Sequence, residues 1–412
     1  AEYGDTHPVV LLHMMSLAEA RQHAADFKGG EAQYREALVL ARRLMGDEHT
    51  TTASIKVELG EALGDLRRYE EADSMIAAGL ATRLRLLGEN HADVALARTQ
   101  LARLRQDQGR FEEADSLFRL SLESRRKLLG DSVPAVASSL DDIGYNFQLQ
   151  GRWADAEPYH RGSLRIFQAH RLDREATESM AHLGWVLSKE AKLAEADSLL
   201  TESLRRRIRE YGPDHPNVGD AIEKLAGLAV ARKYIARAES LTVRGLEIRR
   251  KVYGPRSPSI SVQLLNLAFM HELRNDSAGA IPILQEALDI TSSVRPPTDA
   301  SVILNQQWLA TEQCTVGDAR EGEALLRTAM ANAGSDSTRS MPWRIRILLG
   351  YCLARQQRFA EAEPLMLEGY QRLAAVPNVP PQITGAMLNR MAQLYQLWGK
   401  PEREQEWRAK AK

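Results

Sequence analysis

The chain has 412 residues, with 54 basic against 55 acidic side chains and a net charge of −1. That balance excludes the basic footprint of a nucleic-acid binder, and no run of about 18 apolar residues offers a membrane span. Hydrophobic residues reach 44% and aromatics only 6%. A chain rich in Ala, Leu and Arg favours helix, because these side chains lose little entropy on entering one.

In chain order, Ala1–Asp5 reads as the end of a preceding repeat. The chain is therefore expected to be a piece of a longer protein, and its first residues lack the pattern of a signal peptide. From there one pattern recurs. Arg68-Tyr69-Glu70-Glu71-Ala72-Asp73 returns as Arg110-Phe111-Glu112-Glu113-Ala114-Asp115 and as Arg152-Trp153-Ala154-Asp155-Ala156-Glu157. Weaker copies end at Ala196, Ala238, Ala280 and Ala362, while Gly30, Gly322 and Glu404 fill the same slot in degenerate copies. The anchors at 30, 72, 114, 156, 196, 238, 280, 322, 362 and 404 are spaced by 42 residues, with two intervals of 40. Twelve residues before each anchor stands Gly or Ala, from Ala18 and Gly60 to Gly350 and Ala392. Seven after it stands another small residue, such as Gly79 or Ser121, followed by a large apolar one. Small residues let two antiparallel helices approach closely, and large apolar ones at helical spacing fill the flanks. Each repeat is thus one helix pair, a first helix (A) and a second (B), that buries its apolar face only against its neighbours.

Gly or Ala after Leu, then the middle Ala, then a small residue before Leu, is the tetratricopeptide pattern. The 42-residue form resembles the repeats of kinesin light chains, through Tyr211-Gly212-Pro213-Asp214-His215-Pro216, Tyr3-Gly4-Asp5-Thr6-His7-Pro8, Asn266-Leu267-Ala268 and Leu246-Glu247-Ile248-Arg249. The resemblance implies an all-α fold: a right-handed superhelical solenoid of about ten antiparallel helix pairs, one continuous array over residues 1–412. The C-terminal Met391–Tyr395, Trp398–Glu402 and Glu406-Trp407-Arg408 also resemble the end of arrays in bacterial serine/threonine protein kinases. That likeness implies an upstream kinase domain and a regulatory or sensory role for the array. The polar stretch Ala333–Pro342 is the longest break in the pattern and a candidate joint.

Catalytic and metal motifs are weak. There is no GxxxxGK[ST], GxGxxG or GxSxG sequence, so no nucleotide or acyl-transfer chemistry is expected. His170-Arg171-Leu172-Asp173 lacks the companions of a kinase loop, and His271-Glu272 is followed at 275 by Asn rather than a zinc-binding His. His7, His49, His91 and His215 share one column, one per repeat. Neighbouring repeats hold them too far apart for one ion, so a turn-stabilising role is expected. Cys314 and Cys352 lie in different repeats without a CxxC pair, so no disulfide framework is expected. The basic runs Arg125–Lys127, Arg205–Arg207 and Arg249–Lys251 fall near B-helix C-termini. Cations complement the helix dipole there, and a solvated edge is expected before an anionic-partner patch.

The expected function is binding: a protein–protein interaction scaffold without catalytic residues, metal or cofactor, in the cytoplasm, or outside it if a membrane span lies upstream. In tetratricopeptide arrays the A helices line the concave groove, and the residue after the invariant Gly or Ala points into it. Here that column runs Glu19, Glu61, Arg103, Tyr145, Trp185, Gly227, Phe269, Thr311, Tyr351, Gln393. Exposed aromatics anchor interfaces because they bury large area with few rotors. The groove set is therefore Arg103, Tyr145, Gln148, Trp185, Lys189, Phe269, Gln307, Tyr351, Arg355 and Asn389. Glu19, Glu61, Asp65, Asp107 and Asp141 make its N-terminal end acidic, which steers a basic partner segment. Arg344 lies toward the other end, with Asp220 and Glu223. The Asn pair that contacts peptide backbone in kinesin light chains is reduced to Asn266 and Asn389, so cargo specificity does not transfer. Self-association through the array ends is the remaining expectation.

Overall fold

The computed structural model describes residues 8–23, 26–334, 340–377, 379 and 381–411, and twenty helices occur among them, with no strand. His7 and most of the polar break after Gly334 lie outside the described residues. By its contacts the chain divides into two compact units, Ala1–Arg206 and Arg207–Lys412. Unit 1 contains α1 (Pro8–His23), α2 (Phe27–Met45), α3 (Thr50–Asp65), α4 (Tyr69–Leu87), α5 (Ala92–Asp107), α6 (Phe111–Leu129), α7 (Pro134–Leu149), α8 (Trp153–Ala169), α9 (Asp173–Lys189) and most of α10 (Leu193–Tyr211). Unit 2 contains α11 (Pro216–Ala231), α12 (Ile235–Tyr253), α13 (Pro258–Leu273), α14 (Ser277–Val294), α15 (Ala300–Val316), α16 (Ala319–Ala333), α17 (Ser340–Arg355), α18 (Phe359–Ala374), α19 (Pro381–Leu397) and α20 (Pro401–Lys410). Odd-numbered helices are the A helices. Within each unit every A helix packs on the B helix that follows it, and B helices pack on the next A helix.

All ten anchors fall on B helices. The two 40-residue intervals contain α8 and α16, with 17 and 15 residues, while α2, α4, α6, α10, α12 and α14 have 18 or 19; α18, with 16, keeps a 42-residue interval through a longer connection. The small columns do what their size suggests. A Cβ added to Gly60 would lie 2.9 Å from the carbonyl oxygen of the anchor Ala72, and one on Gly79 would lie 2.7 Å from that of Ala53. Backbones touch at these points, so no larger side chain fits without moving a helix.

The caps follow from sequence as well. The Nδ1 atoms of His49, His91 and His215 each accept a hydrogen bond at 3.2 Å from the backbone N–H of the second residue of the A helix they precede. They satisfy donors that a helix start leaves open, which is the turn-stabilising role expected of their column. Pro134, Pro216 and Pro258 open α7, α11 and α13, where a missing N–H costs nothing.

Two expectations need correction. Cys314 on α15 and Cys352 on α17 are joined by a disulfide, with their Cα atoms 5.2 Å apart. The sequence placed them 38 residues apart in different repeats, but stacking brings adjacent A helices side by side. The basic runs are also not a uniformly solvated edge. Arg83, Arg125 and Arg207, each eleven residues after an anchor, donate to the carbonyl oxygens of Asp93, Ala135 and Asn217 at 2.8, 3.3 and 2.9 Å. Each ties a B helix to the first turn of the next A helix. Arg249, in the same column, pairs with Asp220 and Glu223 at 2.8 and 3.0 Å.

Among the described residues no helix is long and apolar enough to cross a membrane. At the C-terminus Tyr370 and Trp407 meet edge to face at 5.0 Å, and Trp398 stacks on Phe359 at 5.2 Å. Trp398 and Trp407, two of the residues that carry the likeness to kinase-linked arrays, are thus engaged in packing the last repeat.

Candidate functional site

In unit 1 the expected groove residues all lie on A helices. Glu61 and Asp65 on α3 and Arg103 and Asp107 on α5 line a cavity of about 170 Å³ together with Gln100. Gln100 donates to Glu61 at 2.6 Å and Gln22 donates to Asp65 at 3.4 Å. Burial pushes the carboxyls of Asp65 and Asp107 upward, and for Asp65 the nearby Asp107 adds to it. Arg103, on the wall of the same cavity, pairs with Asp142 at 3.0 Å and also feels the charge of Glu61. Glu19 is exposed on α1.

Asp141 behaves differently from the other acidic residues. Its two carboxylate oxygens meet Nδ1 of His160 at 2.8 Å and Nδ1 of His182 at 2.9 Å. Burial pushes the Asp141 carboxyl up, but the two imidazoles outweigh it and hold it far below the usual carboxylate range. Burial pushes His160 down, against the pull of Asp141. These three residues bring their ligand atoms within 4.8 Å of one another. As placed, each ring nitrogen faces its own carboxylate oxygen at hydrogen-bond distance, so the group reads as a bonded triad. The charge of Asp141 is spent inside the fold. Beside the triad, Tyr145 is 38% exposed and its ring lies 5.7 Å from that of His182. Trp185 is half-buried, with Lys189 Nζ 4.1 Å from its ring centre. Gln148 is half-buried, and its Oε1 has no hydrogen-bond partner.

Unit 2 brings four of the five remaining groove residues to two adjoining cavities. The first, of about 330 Å³, is lined by Phe269 and Glu272 of α13, Gln307, Trp308, Thr311 and Glu312 of α15, Arg344 and Leu348 of α17, and Ile383, Ala386, Met387 and Arg390 of α19. Every one of these residues is on an A helix. The second, of about 370 Å³, shares Glu272, Glu312, Ala386 and Arg390 with the first and adds Tyr351 and Asn389. Phe269 and Trp308 form one wall, their rings 6.5 Å apart. Tyr351 is only 4% exposed, with Arg390 4.4 Å from its ring centre. Arg355 lies apart from this work. Its guanidinium donates to the carbonyl oxygens of Cys314 and Thr315 at 3.0 and 2.7 Å, closing the end of α15.

The sequence reading missed Trp308, Glu272, Glu312 and Arg390. For three of them the signal was helical spacing rather than the column after the small residue: Trp308 and Glu312 are four apart, and Glu272 lies three after the expected Phe269, so each pair shares a face. In unit 2 that column sinks inward at Thr311 and Tyr351, which are 8% and 4% exposed.

Two family models, both described as tetratricopeptide repeat, match residues 51–127, 93–169 and 177–217. No curated protein matches. Among solved structures, the apo form of the quorum sensor NprR from B. thuringiensis is 10% identical with a TM-score of 0.59, covering 88% of this chain and 98% of that one. The apo form of RapI is 13% identical with a TM-score of 0.54, covering 97% and 95%. BtubC (BKLC) from P. vanneervenii is 20% identical with a TM-score of 0.47, covering 55% and 91%. At such identities the first two likenesses speak to fold. Matched repeats, stacked helix pairs and the fold neighbours agree: residues 51–217 carry tetratricopeptide repeats, and the described helix pairs on either side have the same fold.

Proposed function

We propose that this protein is an interaction scaffold whose repeats form one array and whose A helices hold an extended peptide segment of a partner protein. One observation carries the reading. The 330 Å³ cavity is lined wholly by A helices, has an aromatic and aliphatic wall, and contains buried polar groups without partners. A concave, mostly apolar site with a few convergent polar groups is where ligands bind, and extended segments are a recurring mode of recognition. Peptides selected from a random display library on the purified protein test it. Selected peptides are expected to lose at least tenfold in affinity for the Phe269→Ala/Trp308→Ala variant. Equal affinity for that variant and loss on Tyr145→Ala/Trp185→Ala would move the principal site to unit 1.

A second reading concerns unit 1. Glu61, Asp65 and Asp107 around one cavity support a preference for a basic segment there. Asp65→Asn/Asp107→Asn is expected to weaken binding of an oligo-lysine peptide and to flatten its salt dependence. As for location, the Cys314–Cys352 disulfide favours an oxidising compartment over a reducing cytoplasm.

A further inference from the structure

The Asp141–His160–His182 group stands where the repeat register places other residues. Four residues after their anchors, neighbouring repeats bury Ile76, Phe118 and Leu200, and His160 fills that slot on α8, fully buried. Fifteen before the anchor, the repeats on either side have Thr99 and Ala181 where Asp141 stands on α7. Small or apolar side chains serve both slots without the cost of burying an imidazole and a carboxylate, so packing does not account for this pair.

The three side chains converge from α7, α8 and α9. Nδ1 of His160 and Nδ1 of His182 each face one oxygen of the same carboxylate, and the three residues' ligand atoms lie within 4.8 Å of one another. Ser179 Oγ donates to Asp141 Oδ1 at 3.4 Å and is bonded to Ser163 Oγ at 3.0 Å. Such outer contacts orient a ligating carboxylate. Arg103 and Arg125, the cations that act on the adjacent Asp142, are engaged: Arg103 pairs with Asp142, and Arg125 donates to Ser139 and to the Ala135 carbonyl. The group is open on one side, where the Asp141 and His182 side chains are 20% and 26% exposed.

We propose that Asp141, His160 and His182 bind one divalent transition-metal ion of the zinc class, through both Nδ1 atoms and the carboxylate, with its remaining position open to water. Two imidazoles and a carboxylate suit such an ion, whereas Mg²⁺ and Ca²⁺ take oxygen ligands. A tetrahedral ion with bonds of about 2.0–2.1 Å holds its ligand atoms about 3.3 Å apart. The two N–O pairs, at 2.8 and 2.9 Å, are already near that spacing. From a spread within 4.8 Å the rings close in by at most about 1.5 Å. The step conserves protons: each neutral ring gives up its Nδ1 proton and carries one on Nε2. Nε2 of His160 makes no regular hydrogen bond as placed, but the ring edge lies against Gly144, whose backbone acts on the ring as an acceptor. The bound ion ties three successive helices together across two repeats.

The test is calorimetric titration of Zn²⁺ into the whole chain, stripped with EDTA and dialysed at neutral pH. One equivalent is expected to bind at micromolar affinity or tighter, to raise the thermal midpoint, and to persist in a large excess of Mg²⁺. Asp141→Ala/His160→Leu gives this repeat the residues of the next, Ala181 and Leu200. It is expected to keep its helix content and urea midpoint while that equivalent weakens at least a hundredfold. His182→Gln, on the open side, is expected to weaken it at least tenfold. His271→Gln, at a histidine that pairs with Asp276 elsewhere in the chain, is expected to leave it unchanged. Co²⁺ in place of Zn²⁺ is expected to give the visible absorption of a four-coordinate site, absent from the double variant. No saturable equivalent in the wild type would overturn the proposal and leave the triad as a hydrogen-bonded cluster. So would an equivalent that persists in Asp141→Ala/His160→Leu, or one that Mg²⁺ displaces as readily as Zn²⁺ does.

Discussion

Lys233 sits in the A-to-B turn after α11 with φ of 61°, and Ala191, Arg67 and Gln357 hold the corresponding turns at 61°, 58° and 63°. Gly109, Gly151 and Gly399 occupy the same slot in other repeats at 74°, 71° and 69°. A side chain in this left-handed region costs about 1–2 kcal/mol, and glycine gives back about 0.5–1 kcal/mol through its freer unfolded state. Lys233→Gly is therefore expected to stabilise unit 2 by about 0.5–1 kcal/mol, read as a rise in urea midpoint. In unit 1, burial and then Glu61 push Glu58 up to about 7. A carboxyl raised on folding contributes stability that is complete below its unfolded value, about 4.5, and is lost as pH rises through about 7. Glu58→Gln is expected to flatten that fall and to leave the variant about 2–3 kcal/mol more stable than the wild type at pH 8. Urea melts at pH 4.5 and 8 check it, and an unchanged slope with pH would remove Glu58 as its source. The same scale shows where sequence runs out. The histidine caps were readable because their column repeats every 42 residues. The Asp141–His160–His182 triad was not, because its members come from α7, α8 and α9 and recur nowhere else.

Helix pairs were the most legible level, since the pattern of small and large residues is itself the packing rule. A Cβ added at Gly60 would lie 2.9 Å from the Ala72 carbonyl oxygen and would also collide with the Ile76 side chain. Gly60→Leu is expected to destabilise unit 1 by about 1–3 kcal/mol or more. Chemical denaturation would show it, and a neutral result would mean that α3 and α4 can separate at no cost. The inter-repeat arginines were hidden at this level. Arg125 and Arg207 lie inside runs of three cations, and a run reads as surface because all its charges look alike in sequence. Helical geometry separates them: adjacent residues point about 100° apart, so one arginine of each run turns inward to a carbonyl while its neighbours stay outside. The cavity of unit 2 was half legible for a related reason. Phe269 and Tyr351 were found by column and Asn389 by its likeness to the kinesin light chain Asn pair, but the charges that line the cavity, Glu272, Glu312, Arg344 and Arg390, come from four different A helices, and no single column contains them.

Across the molecule, stacked repeats couple mainly to their neighbours, so a local change should stay local. The Cys314–Cys352 disulfide tests this. It joins α15 to α17 across 38 residues of sequence, a loop whose closure in the unfolded chain is worth about 4 kcal/mol in the chain-entropy account, with measured values usually about 2–4. Both cysteines are buried, so Cys314→Ala/Cys352→Ala is a cleaner probe than reduction. The variant is expected to lose about 2–4 kcal/mol of unit 2 stability, seen by hydrogen exchange as lost amide protection in α15 to α18. Protection in α3 to α6 of unit 1 is expected to stay unchanged. Function should follow the same boundary. Gln307, Trp308 and Glu312 ride on α15 and Arg344 and Leu348 on α17, so the bond holds together two of the four helices that shape the cavity. Loosening it lets those groups sample more arrangements and raises the ordering cost of binding. Peptides selected on the unit 2 cavity should therefore weaken in the Cys314→Ala/Cys352→Ala variant while oligo-lysine binding at Glu61, Asp65 and Asp107 is retained. If protection falls equally in both units, the repeats unfold as one cooperative body and the neighbour-limited account is wrong.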